Sequence, residues 1–119
     1  QVGKWAKSAV SCGVFDGVLL DWWDETIQAS ARLALLQEVR SAIGDTCLII
    51  VNANDRKSPQ SAPYINGVFM ETGKNIPKTP ARWNEIQDAL VWNQANVLEP
   101  KLVCLETWYD QSRDEFDRM

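Results

Sequence analysis

The hydrophobic positions of the chain fall into four short runs, each of which ends in an acidic or amide residue. The runs occupy residues 15–21, 46–52, 65–71 and 101–106. They are nearly unbroken and rich in Val, Leu and Ile, a pattern typical of strands that are covered on both faces, as in parallel sheets. The sequence therefore predicts four buried, parallel strands.

Helical periodicity fills much of the chain between these runs. Residues 4–12 predict the end of an amphipathic helix, and residues 29–43 predict a second helix rich in Ala, Leu, Gln, Glu and Arg. A third helix is predicted over residues 80–97, with Thr79 as its N-cap and Pro80 in its first turn. The order of elements favours a parallel sheet with helical connections.

Two segments between the strands predict loops, at residues 53–63 and 72–79. The first leaves little room for a helix between the second and third strands. We therefore expect either an irregular crossover at residues 56–64 or two strands that are not immediate neighbours. The charged tail, residues 107–119, predicts the start of a further helix.

The first and third strands share a pattern. Residues 15–21 and 65–71 both run apolar, Asx, Gly, Val, apolar, apolar, acid, and they end in Asp21 and Glu71. We expect each Asx-Gly pair to form a tight turn into its strand, because glycine adopts positive φ freely. The pattern places a carboxylate at the carboxyl end of each strand.

The other two strands end in Asn52 and Glu106, so all four strands end in a polar side chain. Ligands of α/β folds bind at the carboxyl ends of the strands, which predicts a site along this edge of the sheet. The alternative is that strand ends are polar because the core stops there. Two or three carboxylates at such an edge suit glycoside hydrolysis, in which one acid protonates the leaving oxygen and the other is the nucleophile or the base for water.

Composition narrows the chemistry further. The chain has no His, which excludes Ser-His-Asp chemistry, and glycoside hydrolysis needs none. The net charge is −4 without clustered Lys and Arg, and no apolar run approaches about 20 residues, so neither nucleic acid nor a membrane is an expected partner. No phosphate-binding glycine motif occurs, and we expect no cofactor and no metal. The three cysteines make a poor disulfide framework and are expected to be structural: Cys12, Cys47 and Cys104.

Six tryptophans stand in the chain, and three of them lie next to the strand ends. Trp22, Trp23 and Trp108 are candidate stacking surfaces for sugar rings, with packing against the barrel as the alternative. Asn54 is a candidate contact for substrate hydroxyls, and an Asx turn is the alternative there. The remaining three lie on predicted helices and are expected to pack: Trp5, Trp83 and Trp92.

An ordered set of motifs resembles the glycoside-hydrolase-like (β/α)8 barrels of bacteria, relatives of the endo-α-1,4-polygalactosaminidases. The set is FDGVLLDWW at 15–23, IIVNAN at 49–54 and NGVFME at 66–71. The resemblance covers about residues 13–110. It implies a carbohydrate substrate, Asp21 and Glu71 as the catalytic pair, and Asn52 and Glu106 as residues that line the site. It also suggests a bacterial, secreted protein, although the sequence itself does not fix the localisation.

A complete barrel of this type needs about 250 residues. We therefore expect the 119 residues to form one partial α/β domain, 1–119, whose parallel βα units make about half of a TIM (β/α)8 barrel. Two copies would cover each other's open edges, so a homodimer is expected. The alternatives are a Mg²⁺-dependent barrel enzyme that uses Asp21, Glu71, Glu106 and Asp24, and a non-catalytic α/β module that binds carbohydrate or regulates another protein.

Overall fold

The computed structural model describes residues 1–72 and 79–107. These residues form a four-stranded, all-parallel sheet in the order β1-β2-β3-β4, so each strand lies beside the next one along the chain. The strands are β1 Gly17–Leu20, β2 Leu48–Asn52, β3 Gly67–Thr72 and β4 Leu102–Thr107. The helices are α1 Val2–Ser11, α2 Ala29–Ile43 and α3 Pro80–Asn96. The α/β class and the predicted order of elements are confirmed.

The predicted boundaries lie close to those of the structure. The second helix matches its predicted range to the residue, and no other boundary differs by more than two residues. Thr79 caps α3 as predicted, because its hydroxyl oxygen accepts a hydrogen bond from the Arg82 N–H at 3.2 Å. The predicted tail helix lies outside the described residues.

The segment between β2 and β3 is an irregular crossover, which decides between the two alternatives. The two strands are parallel neighbours, and their connection contains only a short 3₁₀ turn, Ala62–Tyr64. Buried polar contacts hold this connection in place of a helix. Asn93 of α3 accepts from the Ser58 N–H at 3.1 Å and donates to the Arg56 carbonyl oxygen at 2.9 Å.

The hydrophobic core covers one face of the sheet. It joins strand residues to residues of α2 and α3, and its largest fully buried members are Leu36, Val39, Ile49, Val51, Ile65, Val68, Met70 and Ile86. Full burial of such a side chain stabilises the fold by about 1.5–3 kcal/mol. The alternate strand positions are more open, with Leu19 51% and Leu102 40% exposed. The expectation of strands covered on both faces is therefore wrong for the edge strands β1 and β4.

The glycines of the Asx-Gly pairs serve a different purpose from the predicted one. A Cβ atom on Gly17 would collide with the carbonyl oxygen of Leu48, and one on Gly67 with that of Leu102. Neither glycine has positive φ. The two glycines therefore permit close contact between neighbouring strands, and the predicted tight turns are wrong.

Several side chains expected in the interior lie at the surface. Cys104 is exposed on the edge strand β4 and Cys12 is exposed after α1, while Cys47 is half-buried against the core. Trp5 is 63% exposed and Trp83 is 43% exposed, so these two tryptophans pack less than predicted. None of the helices within the described residues is long and apolar enough to cross a membrane.

A buried polar cluster closes the amino end of the sheet. The Asn66 side chain is 1% exposed, and its Oδ1 accepts from the Ile49 N–H at 3.1 Å and from Arg40 Nη2 at 2.7 Å. Its Nδ2 donates to the Glu99 carbonyl oxygen at 2.9 Å. Arg40 also donates to the carbonyl oxygens of Tyr64 and Cys47. This cluster, which we call the amino-end cluster, ties α2 to β2 and to the segments before β3 and β4.

Candidate active site

The four polar strand ends lie along one edge of the sheet. Asp21 directly follows β1, and Asn52 is the last residue of β2. In β3 and β4, Glu71 and Glu106 are register partners, so they share a face of the sheet on neighbouring strands. The carboxyl ends of the strands therefore carry the four residues that the sequence singled out.

Three of these residues are in direct contact through the amide of Asn52. Its Nδ2 donates to Asp21 Oδ1 at 2.8 Å and to Glu71 Oε2 at 2.9 Å. The Asn52 side chain is nearly buried, with 5% exposed. The two carboxylates thus point to the same side of the sheet and flank the central strand end.

The two carboxylates are also close to each other, because they share one nitrogen. Hydrogen bonds of 2.8 and 2.9 Å from one atom limit the distance between Asp21 Oδ1 and Glu71 Oε2 to less than about 6 Å. Carboxyl groups about 5–5.5 Å apart are typical of retaining glycosidases, and inverting enzymes need about 6.5–9.5 Å.

Trp22 directly follows Asp21 in the chain. The residue is 82% exposed and has φ of 56°, a left-handed conformation that is uncommon for a bulky side chain. Its N–H donates to Asp21 Oδ1 at 2.8 Å, and its carbonyl oxygen accepts from Arg32 Nη1 at 2.7 Å. Hydrogen bonds on both sides of its backbone therefore hold Trp22 in place, while its side chain is open to solvent.

Trp23 lies on the opposite side of the backbone, in the core. It is 4% exposed, and its indole N–H donates to the Ser61 hydroxyl at 2.8 Å. Its backbone N–H donates to the Asn52 carbonyl oxygen at 2.9 Å. Because almost no ring surface is free, the packing alternative applies to Trp23 and the proposed sugar contact does not.

The loop that follows Asp21 is fastened to the crossover between β2 and β3. Asp24 forms an ion pair with Arg56 and accepts from the Thr26 hydroxyl at 2.6 Å. The hydrogen bonds from Thr26, followed by that from Arg56, lower the pKa of Asp24 to about 2. Glu25 accepts from the backbone N–H groups of Gln60 at 3.0 Å and Ser61 at 2.6 Å. We call these contacts the loop clamp.

A cavity of about 230 Å³ lies at the loop clamp, beside the strand ends. Its lining includes Trp23, Asp24, Arg56 and Lys57. Nothing in the spacing of the sequence pairs Asp24 with Arg56 or Glu25 with Ser61, because both contacts join loops from different parts of the chain. The sequence analysis therefore missed the clamp.

The other candidate residues are less closely engaged. Asn54 is exposed with φ of 52°, and its backbone N–H donates to Asn52 Oδ1 at 3.1 Å. Its side chain remains accessible at the edge of the site. Glu106 is half-buried beside Glu71. Trp108 lies outside the described residues.

The described residues offer no cluster of ligands for the alternative, a magnesium site. Within residues 1–72 and 79–107, no group of three or more His, Cys, Asp or Glu is arranged to hold a metal ion. Asp24, one of the four candidate ligands, is engaged by Arg56 and Thr26. Two of the remaining three, Asp21 and Glu71, accept hydrogen bonds from the amide of Asn52.

Comparison of the chain with protein-family models and with curated proteins gave no match. The resemblance to glycoside-hydrolase-like barrels therefore stays a prediction. The arrangement itself supplies two carboxylates with oxygens less than about 6 Å apart, an exposed tryptophan directly after one of them in the chain, and the clamped loop that follows.

Proposed function

We propose that this chain carries a glycosidase site in which Asp21 and Glu71 cleave a glycosidic bond. The observation that carries the proposal is the amide of Asn52, which binds both carboxylates from one nitrogen at 2.8 and 2.9 Å. That contact brings together two acids from β1 and β3 at a spacing that suits a double displacement. The chemistry requires no cofactor.

The two acids have different surroundings, which supports different roles. Asp21 Oδ1 accepts two N–H bonds, from Trp22 and from Asn52, which fix the orientation of that carboxylate as attack on one carbon atom requires. We assign Asp21 as the nucleophile and Glu71 as the acid and base. Asp21 forms a bond to the anomeric carbon while the glycosidic C–O bond breaks, and the leaving oxygen keeps the electron pair and takes the proton of Glu71.

A second displacement completes the reaction. A water oxygen bonds to the anomeric carbon and gives a proton to Glu71, while the bond to Asp21 breaks and returns its electron pair to the carboxylate. Two inversions at one carbon give net retention of configuration. The exposed ring of Trp22 supports a pyranose by stacking against its C–H face.

The sheet supports a further proposal about architecture. Four parallel strands with open edges at β1 and β4 are compatible with half of a (β/α)8 barrel. We propose that a second copy completes it, with β4 of one copy beside β1 of the other, which would cover Leu19 and Leu102. Sedimentation equilibrium is expected to give a dimer, and a monomer at high protein concentration would overturn this arrangement.

Hydrolysis assays with site variants test the proposed chemistry. The chain is incubated with α- and β-linked polysaccharides and with 2,4-dinitrophenyl glycosides, and released reducing ends or dinitrophenol are measured. Asp21→Asn and Glu71→Gln are each expected to lower kcat about 100-fold or more on polysaccharide. On dinitrophenyl glycosides, Glu71→Gln keeps the first step fast because that leaving group needs no proton, whereas Asp21→Asn does not.

Asp45→Asn is the matched control, because Asp45 is an exposed carboxylate just beyond the end of α2. It is expected to leave the rate unchanged. The proposal is overturned if no member of the panel is hydrolysed, or if both site variants hydrolyse it at the rate of the unsubstituted chain. Proton NMR of the first product then shows whether the anomeric configuration is retained.

A further inference from the structure

We infer that Asn52 is a positioning residue, which sets the distance between the two carboxylates and does not itself bind substrate. This inference rests on the proposed function. It differs from the expectation that Asn52 contacts the substrate. Both polar atoms of its side chain, Nδ2 and Oδ1, form hydrogen bonds with other residues of the protein.

Both donor positions of the amide, and one acceptor position of its oxygen, are used within the chain. Both hydrogens of Nδ2 are directed to carboxylates, one to Asp21 and one to Glu71. Oδ1 accepts from the backbone N–H of Asn54 at 3.1 Å. This set of partners fixes the orientation of the amide, because two carboxylates need donors and a backbone N–H needs an acceptor. A substrate oxygen that accepted a hydrogen bond from Nδ2 would have to displace one of the two carboxylates.

The main chain of Asn52 is held equally firmly. The residue ends β2, which pairs with β1 on one side and with β3 on the other. Its carbonyl oxygen accepts from the Trp23 N–H at 2.9 Å. The amide therefore acts as a spacer mounted on a central strand between the strands that carry the two acids.

An amide is the group that suits this position. It offers two donors without a charge and does not titrate, so both carboxyl groups remain free to lose or gain a proton during the two displacements. An Asp at the same place would put a third carboxylate between them and disfavour their ionisation. A Lys would donate as well, but as a permanent charge on a flexible stem.

The two hydrogen bonds from Asn52 Nδ2 to Asp21 and Glu71, which we call the amide bridge, can be observed without any substrate. Nitrogen–proton NMR spectra of the labelled chain should show two Nδ2 protons for Asn52, one bonded to each carboxylate. Asp21→Asn is expected to shift mainly one of them and Glu71→Gln mainly the other, while both follow the pH titration of the acids. The Nδ2 protons of Asn66 are the internal control, because one of them is bonded to the Glu99 carbonyl oxygen, which does not titrate. Asn52 protons that respond to neither substitution overturn the amide bridge.

Kinetics separate positioning from a merely structural role. Asn52→Ala is expected to lower kcat about 100-fold with little change in KM, because a displacement of about 1 Å costs that much. Asn52→Asp is expected to move the acid limb of the pH–rate profile upward, because a third carboxylate disfavours ionisation of its neighbours. Asn93→Ala is the matched control: it also removes a buried amide, but one whose partners are Ser58 and Arg56.

The outcomes distinguish the two claims. If the unsubstituted chain hydrolyses a substrate and Asn52→Ala keeps its kcat and its pH profile, the positioning role is overturned while the proposed function stands. If Asp21→Asn and Glu71→Gln hydrolyse at the unsubstituted rate, the proposed function is overturned, and the positioning role falls with it. If Asn52→Ala does not fold, the NMR response of the unsubstituted side chain and the pH profile of Asn52→Asp still decide.

Discussion

Two asparagines of similar burial lie at opposite ends of the same sheet and serve different purposes. Asn52 at the carboxyl end is 5% exposed, and its Nδ2 binds two carboxylates. Asn66 at the amino end is 1% exposed and binds a guanidinium and two backbone groups. The partners of Asn52 can change protonation, and those of Asn66 cannot in the neutral range. The partners of Asn52 are those that the proposed chemistry needs, whereas the partners of Asn66 join backbone segments.

The guanidinium at the amino end illustrates the difference. Burial lowers the pKa of Arg40, although Asp45 and Cys47 oppose the shift, and carbonyl oxygens around the side chain accept its hydrogen bonds. An Arg remains charged under all conditions in which the fold exists. The amino-end cluster is therefore a fixed junction between backbone segments.

The largest effect on stability is expected from Asn66→Leu. The substitution leaves the Ile49 N–H and the Glu99 carbonyl oxygen without their partner and removes an acceptor from Arg40. The free energy of unfolding, measured by urea denaturation, is expected to fall by about 4 kcal/mol. The kcat of the molecules that remain folded should not change. A large loss of kcat per folded molecule would show that the amino end of the sheet also affects the proposed reaction, and would contradict the separate roles of the two ends.

A smaller effect is expected from the glycine at the start of β3. Gly67→Ala places a methyl group against the Leu102 carbonyl oxygen inside the sheet, and unfolding free energy is expected to fall by about 3 kcal/mol. Gly17→Ala, at the equivalent position of β1, is the matched comparison. The added methyl group would lie nearer to the Leu102 carbonyl oxygen at position 67 than to the Leu48 carbonyl oxygen at position 17, so we expect Gly17→Ala to lose less stability. Equal losses in urea denaturation would contradict this.

Trp22 gives a prediction of opposite sign at the carboxyl end. Trp22→Gly removes a bulky residue from a left-handed conformation, so the unfolding free energy is expected to rise by about 1 kcal/mol. The same substitution removes the stacking ring and is expected to raise KM about tenfold. Thermal denaturation and kinetics of the one variant measure both. A loss of stability would show that the left-handed conformation of Trp22 is not strained. An unchanged KM would show that its ring does not bind the substrate.

The smallest effect concerns the loop clamp and depends on pH. The folded-state pKa of Asp24, about 2, lies below its ordinary value of 3.8, so the hydrogen bonds from Thr26, followed by the contact with Arg56, stabilise the folded state above about pH 4. This contribution is lost as the pH falls through 2. Asp24→Asn should lower the melting temperature at neutral pH, and the difference from the unsubstituted chain should vanish toward pH 2. Thr26→Val should cause part of the same pH-dependent decrease in melting temperature. Ser30→Ala, the control, should not.

The sequence predicted the elements and the strand ends well, for a physical reason. Apolar runs report burial directly, so the four strands and the row of polar ends at 21, 52, 71 and 106 follow from the pattern alone. The pattern does not predict which of two adjacent tryptophans faces the core. The backbone conformation of the loop decides that Trp23 is buried and Trp22 exposed, and the sequence pattern does not specify this conformation. The role of Asn52 was missed for a similar reason, since it depends on neighbours 31 and 19 residues away.

The amino-end cluster has one more consequence, for the chemical lifetime of the chain. Asn followed by Gly is the sequence most prone to deamidation, since the glycine lets its backbone nitrogen close a ring on the side-chain amide, and Asn66-Gly67 is such a pair. In the folded protein, the carboxamide of Asn66 is buried and held by Ile49, Arg40 and Glu99, and the ring cannot close. Each excursion to the unfolded state removes this protection. The hydrogen bonds that stabilise the sheet therefore also slow the deamidation of Asn66.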